Sequence, residues 1–144
     1  MFSRKLSSVF LVLGTLLMSV GCGERGPELL PVKGIVTFKG KPIAKINVMF
    51  VPSDKQGIIA QGTSDENGKF WLQTLDPKDG AMPGNYKVSF KYVSDTIPDM
   101  PGFAGGVQPE KSPIPVKYSD ENKSGITATV DANTSKSDFK FDLN

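Results

Sequence analysis

The sequence has no histidine and only one cysteine, Cys22, among its 144 residues. Histidine is the commonest general base near neutral pH and a frequent metal ligand, so its absence excludes histidine-dependent triads and zinc sites. A single cysteine cannot make a disulfide within the chain, and the fold must therefore be held by its core. No carboxylate pair or activated nucleophile stands out, and we expect a non-catalytic protein without a cofactor.

The chain also lacks a surplus of charge outside its first residues. It has 17 Lys and Arg against 15 Asp and Glu, and two of the basic residues, Arg4 and Lys5, precede every acidic one. The remainder therefore carries 17 − 2 = 15 basic and 15 acidic side chains. Proteins that bind nucleic acid usually display a basic face or stripe. Basic and acidic residues alternate here, so we expect no nucleic acid partner.

Long hydrophobic runs are missing except for one near the start of the chain. Leu6 to Val20 form an apolar stretch of 15 residues. As a helix it would reach about 22 Å, short of the roughly 30 Å hydrocarbon core of a bilayer. With Arg4 and Lys5 before it, the stretch predicts a secretory signal peptide over residues 1–21. An uncleaved membrane anchor is the alternative interpretation.

Cys22 follows Gly21 at the end of this stretch. The arrangement resembles the bacterial lipoprotein signal, although Ser19 stands where that signal usually has leucine. The resemblance implies that Cys22 carries acyl chains such as palmitate and becomes the first residue after cleavage. The protein would then be exported and lipid-anchored, on the periplasmic face of a membrane or at the cell surface. A free cysteine in a secreted protein is the alternative.

Two regions follow the signal. Residues 22–31 are rich in Gly, Pro and charged residues, and are predicted to be a flexible tether. Residues 32–144 show the alternation of apolar and polar residues that is typical of β-strands. About seven strands are predicted, at 32–38, 46–51, 58–63, 69–74, 85–93, 125–130 and 138–143. They indicate an all-β domain, an antiparallel two-sheet sandwich.

Turn residues and alternation add detail to this prediction. Asn67-Gly68 between two β-like runs predicts a hairpin. On the strand 85–93, the alternate residues Lys87, Ser89 and Lys91 are predicted to face water. Trp71 stands between Phe70 and Leu72, which leaves two packings open. Either its two neighbours are core and Trp71 is exposed, or Trp71 is core and a loop covers its neighbours.

The segment 94–115 contains five prolines and three glycines and is predicted to be one long loop. Proline removes backbone donors, which leaves too few for a sheet. Long connections without secondary structure are uncommon in compact domains and are often functional. A solvated connection between the two sheets is the competing interpretation.

Four phrases between Val32 and Val93 resemble the carboxypeptidase regulatory-like, or transthyretin-like, domain family. They are VKGIV with GKPI, then NVMF, then TSDENGKF, and PGNYKV. The part from Ile114 to Val130 looks like the ending of small planctomycete-type lipoproteins. The resemblance implies the fold alone, because this fold hosts hydrolases, carriers, sugar-binding modules and spacers. The hydrolases of the family rely on histidines and a Tyr-Arg-Gly-Ser tail, which this chain lacks.

Four aromatic residues are candidates for ligand binding: Trp71, Tyr86, Tyr92 and, in the long loop, Phe103. Trp71 and the two tyrosines could form a platform for a sugar ring, as in starch-binding-like sandwiches, or could belong to the sandwich core. An exposed Trp71 beside a groove would favour sugar binding, and a buried Trp71 would favour a core role.

Oxygen-bearing side chains also meet in one turn, at Asp65, Glu66 and Asn67. Ca²⁺ takes six to eight oxygen ligands, so the turn could supply part of a calcium site. The spacing of an EF-hand is absent, and a polar hairpin tip is the favoured interpretation. We therefore expect no metal site.

These features predict a membrane-anchored, non-catalytic envelope lipoprotein that acts as a structural or protein-interaction module. Its partners would be the membrane, through the lipid on Cys22, and an envelope protein or polysaccharide. The alternative function is a carbohydrate-binding β-sandwich lipoprotein that uses Trp71 and residues of the 94–115 loop.

Overall fold

A computed structural model describes residues 26–94, 110–131, 133 and 138–144. The predicted signal peptide, Cys22, Phe103 and residues 95–109 of the predicted long loop lie outside the described residues. The described part forms two four-stranded sheets around one hydrophobic core, which confirms the predicted all-β two-sheet sandwich. Within the described part, no helix is long and apolar enough to cross a membrane.

The strands follow the predicted alternating runs. They are β1 (Lys33–Phe38), β2 (Lys41–Pro42), β3 (Ile46–Pro52), β4 (Ala60–Thr63), β5 (Lys69–Trp71), β6 (Gly84–Tyr92), β7 (Ile126–Val130) and β8 (Phe139–Leu143), with a 3₁₀ helix at Val116–Ser119. The two-residue strand β2 is not among the seven predicted strands. Lys39 and Gly40, with φ of 50° and 75°, make a tight left-handed turn between β1 and β2.

Pairing within the sheets is antiparallel with one exception. In the first sheet β1 pairs with β8 along one edge and with β5 and β2 along the other. The second sheet has the order β4-β3-β6-β7. The β1–β8 pair is parallel, with Val36 opposite Phe141. The prediction that all strands pair in antiparallel fashion is therefore wrong for β8 alone among the described strands. After β7 the chain crosses from the second sheet to the first, and β8 then runs in the same direction as β1.

The hairpin of β4 and β5 joins the two sheets, since each of its strands belongs to a different one. Gln61 in β4 and Gln73 just after β5 exchange backbone hydrogen bonds of 2.9 and 2.8 Å. In the turn, Gly68 has a φ of 73°, as the Asn67-Gly68 pair predicts. A Cβ at Gly68 would collide with the carbonyl oxygen of Val36, so the turn packs directly against β1.

An aromatic cluster fills the core between the sheets. The ring of Phe141 lies 6.2 Å from that of Phe50, 6.1 Å from Phe70 and 5.3 Å from Phe90, measured between centroids. These distances are typical of favourable ring pairs. The alternate apolar residues of β3 and β6 face this core, and Tyr92 among them is half-buried. The others are buried: Ile46, Val48, Phe50, Tyr86, Val88 and Phe90.

Ser89 departs from the predicted pattern. It lies on the outward side of β6, yet only 1% of its surface is exposed. The prediction that Ser89 faces water is therefore wrong. Ser89 lies on β6, an interior strand of its sheet, in register with Met49 of β3, so its position is not at an exposed edge.

Replacing Phe141 tests the aromatic cluster. We expect Phe141→Ala to lower the free energy of unfolding by about 3–5 kcal/mol, because the ring leaves a cavity that its neighbours cannot fill. The matched change Val116→Ala, at a side chain that is 81% exposed, should cost less than about 0.5 kcal/mol. Urea denaturation measures both. Equal midpoints for the two variants would show that the cluster does not hold the sheets together.

Candidate functional site

Trp71 faces outward at the corner where the two sheets meet. Phe70 and Leu72 on either side of it are fully buried, and Trp71 is 42% exposed. The first of the two predicted packings is therefore correct. Alternation forces this result, because two buried neighbours on a strand place the residue between them on the opposite face. An indole with so much exposed surface is available for contact with a ligand.

The exposed indole lines an open groove of about 370 Å³, which we call the Trp71 groove. Its other lining residues are Asn47, Gln61, Gly62, Thr63, Gln73, Pro77 and Lys78. The residues come from β3, β4, β5 and the loop after β5. The size falls within the range of small-ligand sites. Three carboxamides, a hydroxyl and one aromatic surface therefore meet in one place.

The carboxamides supply the hydrogen-bonding capacity of the groove. Gln61 and Gln73 are both exposed, and their backbones are paired with each other. The Oδ1 atom of Asn47 is buried and has no hydrogen-bond partner among the described residues. A carboxamide offers one acceptor oxygen and two donor hydrogens. The groove can therefore donate to and accept from the same ligand group, as a hydroxyl requires.

Lys78 adds a positive charge beside the indole. Its Nζ atom lies 5.1 Å from the centroid of the Trp71 ring, within the range of a cation–π contact. Lys78 also has a φ of 65°, an unusual backbone conformation for a residue other than glycine. The loop therefore holds Lys78 in a constrained position at the edge of the groove.

The carboxylate of Asp79 organises this loop. Its Oδ1 atom accepts a 2.6 Å hydrogen bond from the backbone N–H of Thr74, and its Oδ2 atom accepts bonds of 2.8 and 2.7 Å from Leu75 and Asp76. Slight burial raises the pKa of Asp79, but these N–H groups and that of Gly80 lower it by more, so the net pKa lies below its ordinary value. The ionised carboxylate thus fixes the loop that carries Lys78.

The other predicted aromatic residues lie away from Trp71. Tyr86 points into the core from β6, 2% exposed, and its hydroxyl donates a 2.8 Å hydrogen bond to the carbonyl of Met82. Burial raises the pKa of Tyr86, partly offset by that bond. Tyr92 is half-buried against the core. The described structure therefore does not bring Tyr86 and Tyr92 together with Trp71, and Phe103 lies outside the described residues.

Sequence reasoning missed the polar half of the groove. Alternation places Gln61 and Gln73 on the outward faces of their strands, but nothing in the sequence indicated that they face each other. Alternation places Asn47 on the outward face of β3 in the same way. Lys78 belonged to a loop whose path depends on Asp79. The groove is assembled by pairing between distant strands, which a local pattern does not report.

The acidic turn of the β4–β5 hairpin is held by its own side chain. The Oδ1 atom of Asp65 accepts 2.9 Å hydrogen bonds from the backbone N–H groups of Asn67 and Lys69. This is the usual way in which an aspartate caps a tight turn. Among the residues that the structure covers, no group of three or more His, Cys, Asp or Glu is placed to hold a metal ion.

Comparison of the chain with protein-family models, with curated proteins and with solved structures finds no match. The resemblance to the carboxypeptidase regulatory-like family therefore stays an expectation. The Trp71 groove must be interpreted from its own chemistry. It combines the flat apolar surface of an indole ring with neutral hydrogen-bond donors and acceptors. Such a combination suits ligands that have both an apolar face and hydroxyl groups.

The variant Asp79→Asn tests how far one carboxylate organises the groove loop. Asparagine keeps one acceptor oxygen, so the variant should unfold at a lower temperature at neutral pH. Since the folded-state pKa of Asp79 is lowered, its stabilisation is present above the ordinary carboxyl pKa and is lost as the pH falls through the lowered value. We therefore expect the gap in melting temperature to close in acid.

Thermal unfolding from neutral to strongly acidic pH measures this gap. Glu66→Gln, at an exposed residue of the hairpin turn, serves as the control and should change the melting temperature at neutral pH less than Asp79→Asn does. A gap for Asp79→Asn that persists unchanged at the lowest pH would mean that the ionised carboxylate does not hold the loop.

Proposed function

We propose that the chain is a lipid-anchored, non-catalytic module of a bacterial envelope. The observation that carries the proposal is the position of Cys22, the only cysteine, directly after Gly21 at the end of a 15-residue apolar stretch. An exposed, unpaired thiol in an oxidising compartment is a liability, which acylation removes. One acyl chain binds membranes marginally, whereas two or three hold a protein firmly.

The folded domain supports a role in display or interaction. Leu30, near the end of the predicted tether, is joined to Ala81 by two backbone hydrogen bonds, so the tether passes directly into the sandwich. The core is continuous and aromatic, which makes the sandwich a firm platform. The partner would be an envelope protein or polysaccharide that contacts the outward loops or the Trp71 groove.

The variant Cys22→Ser tests the anchor. Intact mass of the protein purified from membranes should show loss of residues 1–21 and the added mass of acyl chains, because the thiol is the acylated group. The variant should lack that added mass and leave the membrane fraction. Val116→Ser, an exposed change in the folded domain, should leave both properties as they are. A native protein without acyl mass, or one that keeps residues 1–21, would overturn the proposal.

The exposure of Trp71 beside a groove favours carbohydrate binding as a second function. The apolar face of a sugar ring stacks on an indole, while its hydroxyls need both donors and acceptors. Gln61 and Gln73 offer both at one side of the groove. Since Lys78 contributes the only positive charge among the groove-lining residues, we expect neutral or mildly acidic sugars as ligands.

Replacing Trp71 tests sugar binding. Against a panel of neutral and acidic oligosaccharides, including peptidoglycan fragments, we expect the native protein to bind at least one ligand in titration calorimetry. Trp71→Ala should weaken that binding by about tenfold or more, since buried aromatic contacts dominate such interfaces. Trp71→Phe should fall between the two, and Val116→Ala should bind as the native protein does. Binding unaffected by Trp71→Ala, or no binding to any of the panel, would remove this function.

A further inference from the structure

One end of the sandwich gathers the tether and two loops. Leu30 exchanges backbone hydrogen bonds of 2.8 and 3.0 Å with Ala81, which belongs to the connection from β5 to β6. The connection from β3 to β4, residues 53–59, lies beside the start of β6, because the two segments line one groove of about 460 Å³. β1 begins at the same end. We call this region, with its loops 53–59 and 72–83, the tether end.

Exposed apolar side chains are concentrated at the tether end. Six large hydrophobic residues are exposed in the described part of the chain: Ile58, Ile59, Trp71, Leu75, Val93 and Val116. Ile58, Ile59 and Leu75 belong to the two tether-end loops and are 36%, 49% and 62% exposed. Single exposed hydrophobic residues are ordinary, but a group of them at one end of a molecule marks an interaction surface.

We propose that the tether end rests on the lipid surface, with Ile58, Ile59 and Leu75 in contact with headgroups and upper acyl chains. The inference depends on the proposed acylation of Cys22. Seven residues lie between Cys22 and Leu30, and the eight steps along the chain can span at most about 29 Å. The tether therefore keeps this end within reach of the bilayer. Such confinement raises the effective concentration of lipid at the loops, so that weak apolar contacts become populated.

The charges of the tether end indicate an apolar contact rather than an electrostatic one. The two loops carry two basic residues, Lys55 and Lys78, against three acidic ones, Asp54, Asp76 and Asp79. Binding to anionic lipid through charge requires a surplus of Lys or Arg and is weakened by salt. The tether end has no such surplus. Its contact with lipid should therefore not require anionic lipid, and should persist at high salt.

Trp71 fits this orientation. It lies just before the loop 72–83, and indoles are favoured at the level of lipid headgroups, where an apolar ring and a polar edge both find partners.

A tryptophan moved along the chain tests the contact. Trp71 is the only tryptophan, so Trp71→Phe provides a background without indole. In that background Leu75→Trp places an indole at the tether end, and Val116→Trp places one on the 3₁₀ helix as a matched exposed control. Both acylated full-length variants are inserted into phosphatidylcholine vesicles that carry a nitroxide on the headgroup. Lipid quenching of the indole fluorescence is then measured.

We expect strong quenching of the indole at position 75 and weak quenching of the one at position 116. Adding Ile58→Ser and Ile59→Ser to the Leu75→Trp variant should reduce its quenching towards the value at position 116. Iodide dissolved in the water should quench the indole at position 116 more strongly than the one at position 75. High salt should change none of these results.

The outcomes separate this proposal from the anchor itself. Equal quenching at the two positions in a protein that carries acyl chains would overturn docking and leave the anchor in place. If high salt abolished the quenching, the contact would be electrostatic rather than apolar, and the proposal would also be overturned. A protein without acyl chains on Cys22 would overturn both.

Discussion

The sandwich and its candidate site both depend on the hairpin of β4 and β5, whose strands pair into different sheets. Ser64, at the end of β4, is 4% exposed and ties this hairpin to β3. Its Oγ atom donates a 2.8 Å hydrogen bond to the carbonyl of Ile43 and accepts one of 3.0 Å from the N–H of Ile46. The corner is so tight that a Cβ at Gly62 would collide with the carbonyl oxygen of Trp71. This close approach places Trp71 beside the outward side chains of β4.

The parts of the fold that follow local rules could be predicted from sequence. Alternation located β3 and β6 and their buried faces, and the left-handed turns at Gly40 and Gly68 follow from residue chemistry. The sheet to which each strand belongs could not be predicted, because that choice depends on packing between distant segments. Ser89 illustrates the same limit, since alternation places it on the outward face and yet it is buried. Within the candidate site, the sequence left two packings of Trp71 open, one of them exposed. It gave no indication that polar side chains from other strands would lie beside Trp71.

The Trp71 groove differs from a catalytic pocket in how its polarity is arranged. Its carboxamides are neutral over the whole working pH range, and its one charged group, Lys78, lies against an aromatic ring. The nearby carboxylate of Asp79 accepts hydrogen bonds from the backbone N–H groups of its own loop. Groups that do not change protonation hold and orient a ligand well but transfer no protons. This chemistry agrees with a binding role beside a lipid anchor, which is the role that we propose.

The parallel pairing of β1 with β8 has a consequence for folding, and for the export that we propose. The hydroxyl of Thr37 in β1 donates hydrogen bonds to the carbonyl of Phe141 and to the carboxylate of Asp142, 104 and 105 residues further along the chain. Contacts of such long sequence separation form late in folding, because a large loop must close first. The first sheet therefore cannot be completed before β8 has been synthesised. A chain exported in the way that we propose would stay incompletely folded until β8 emerges, and passage through a narrow membrane channel requires an unfolded chain.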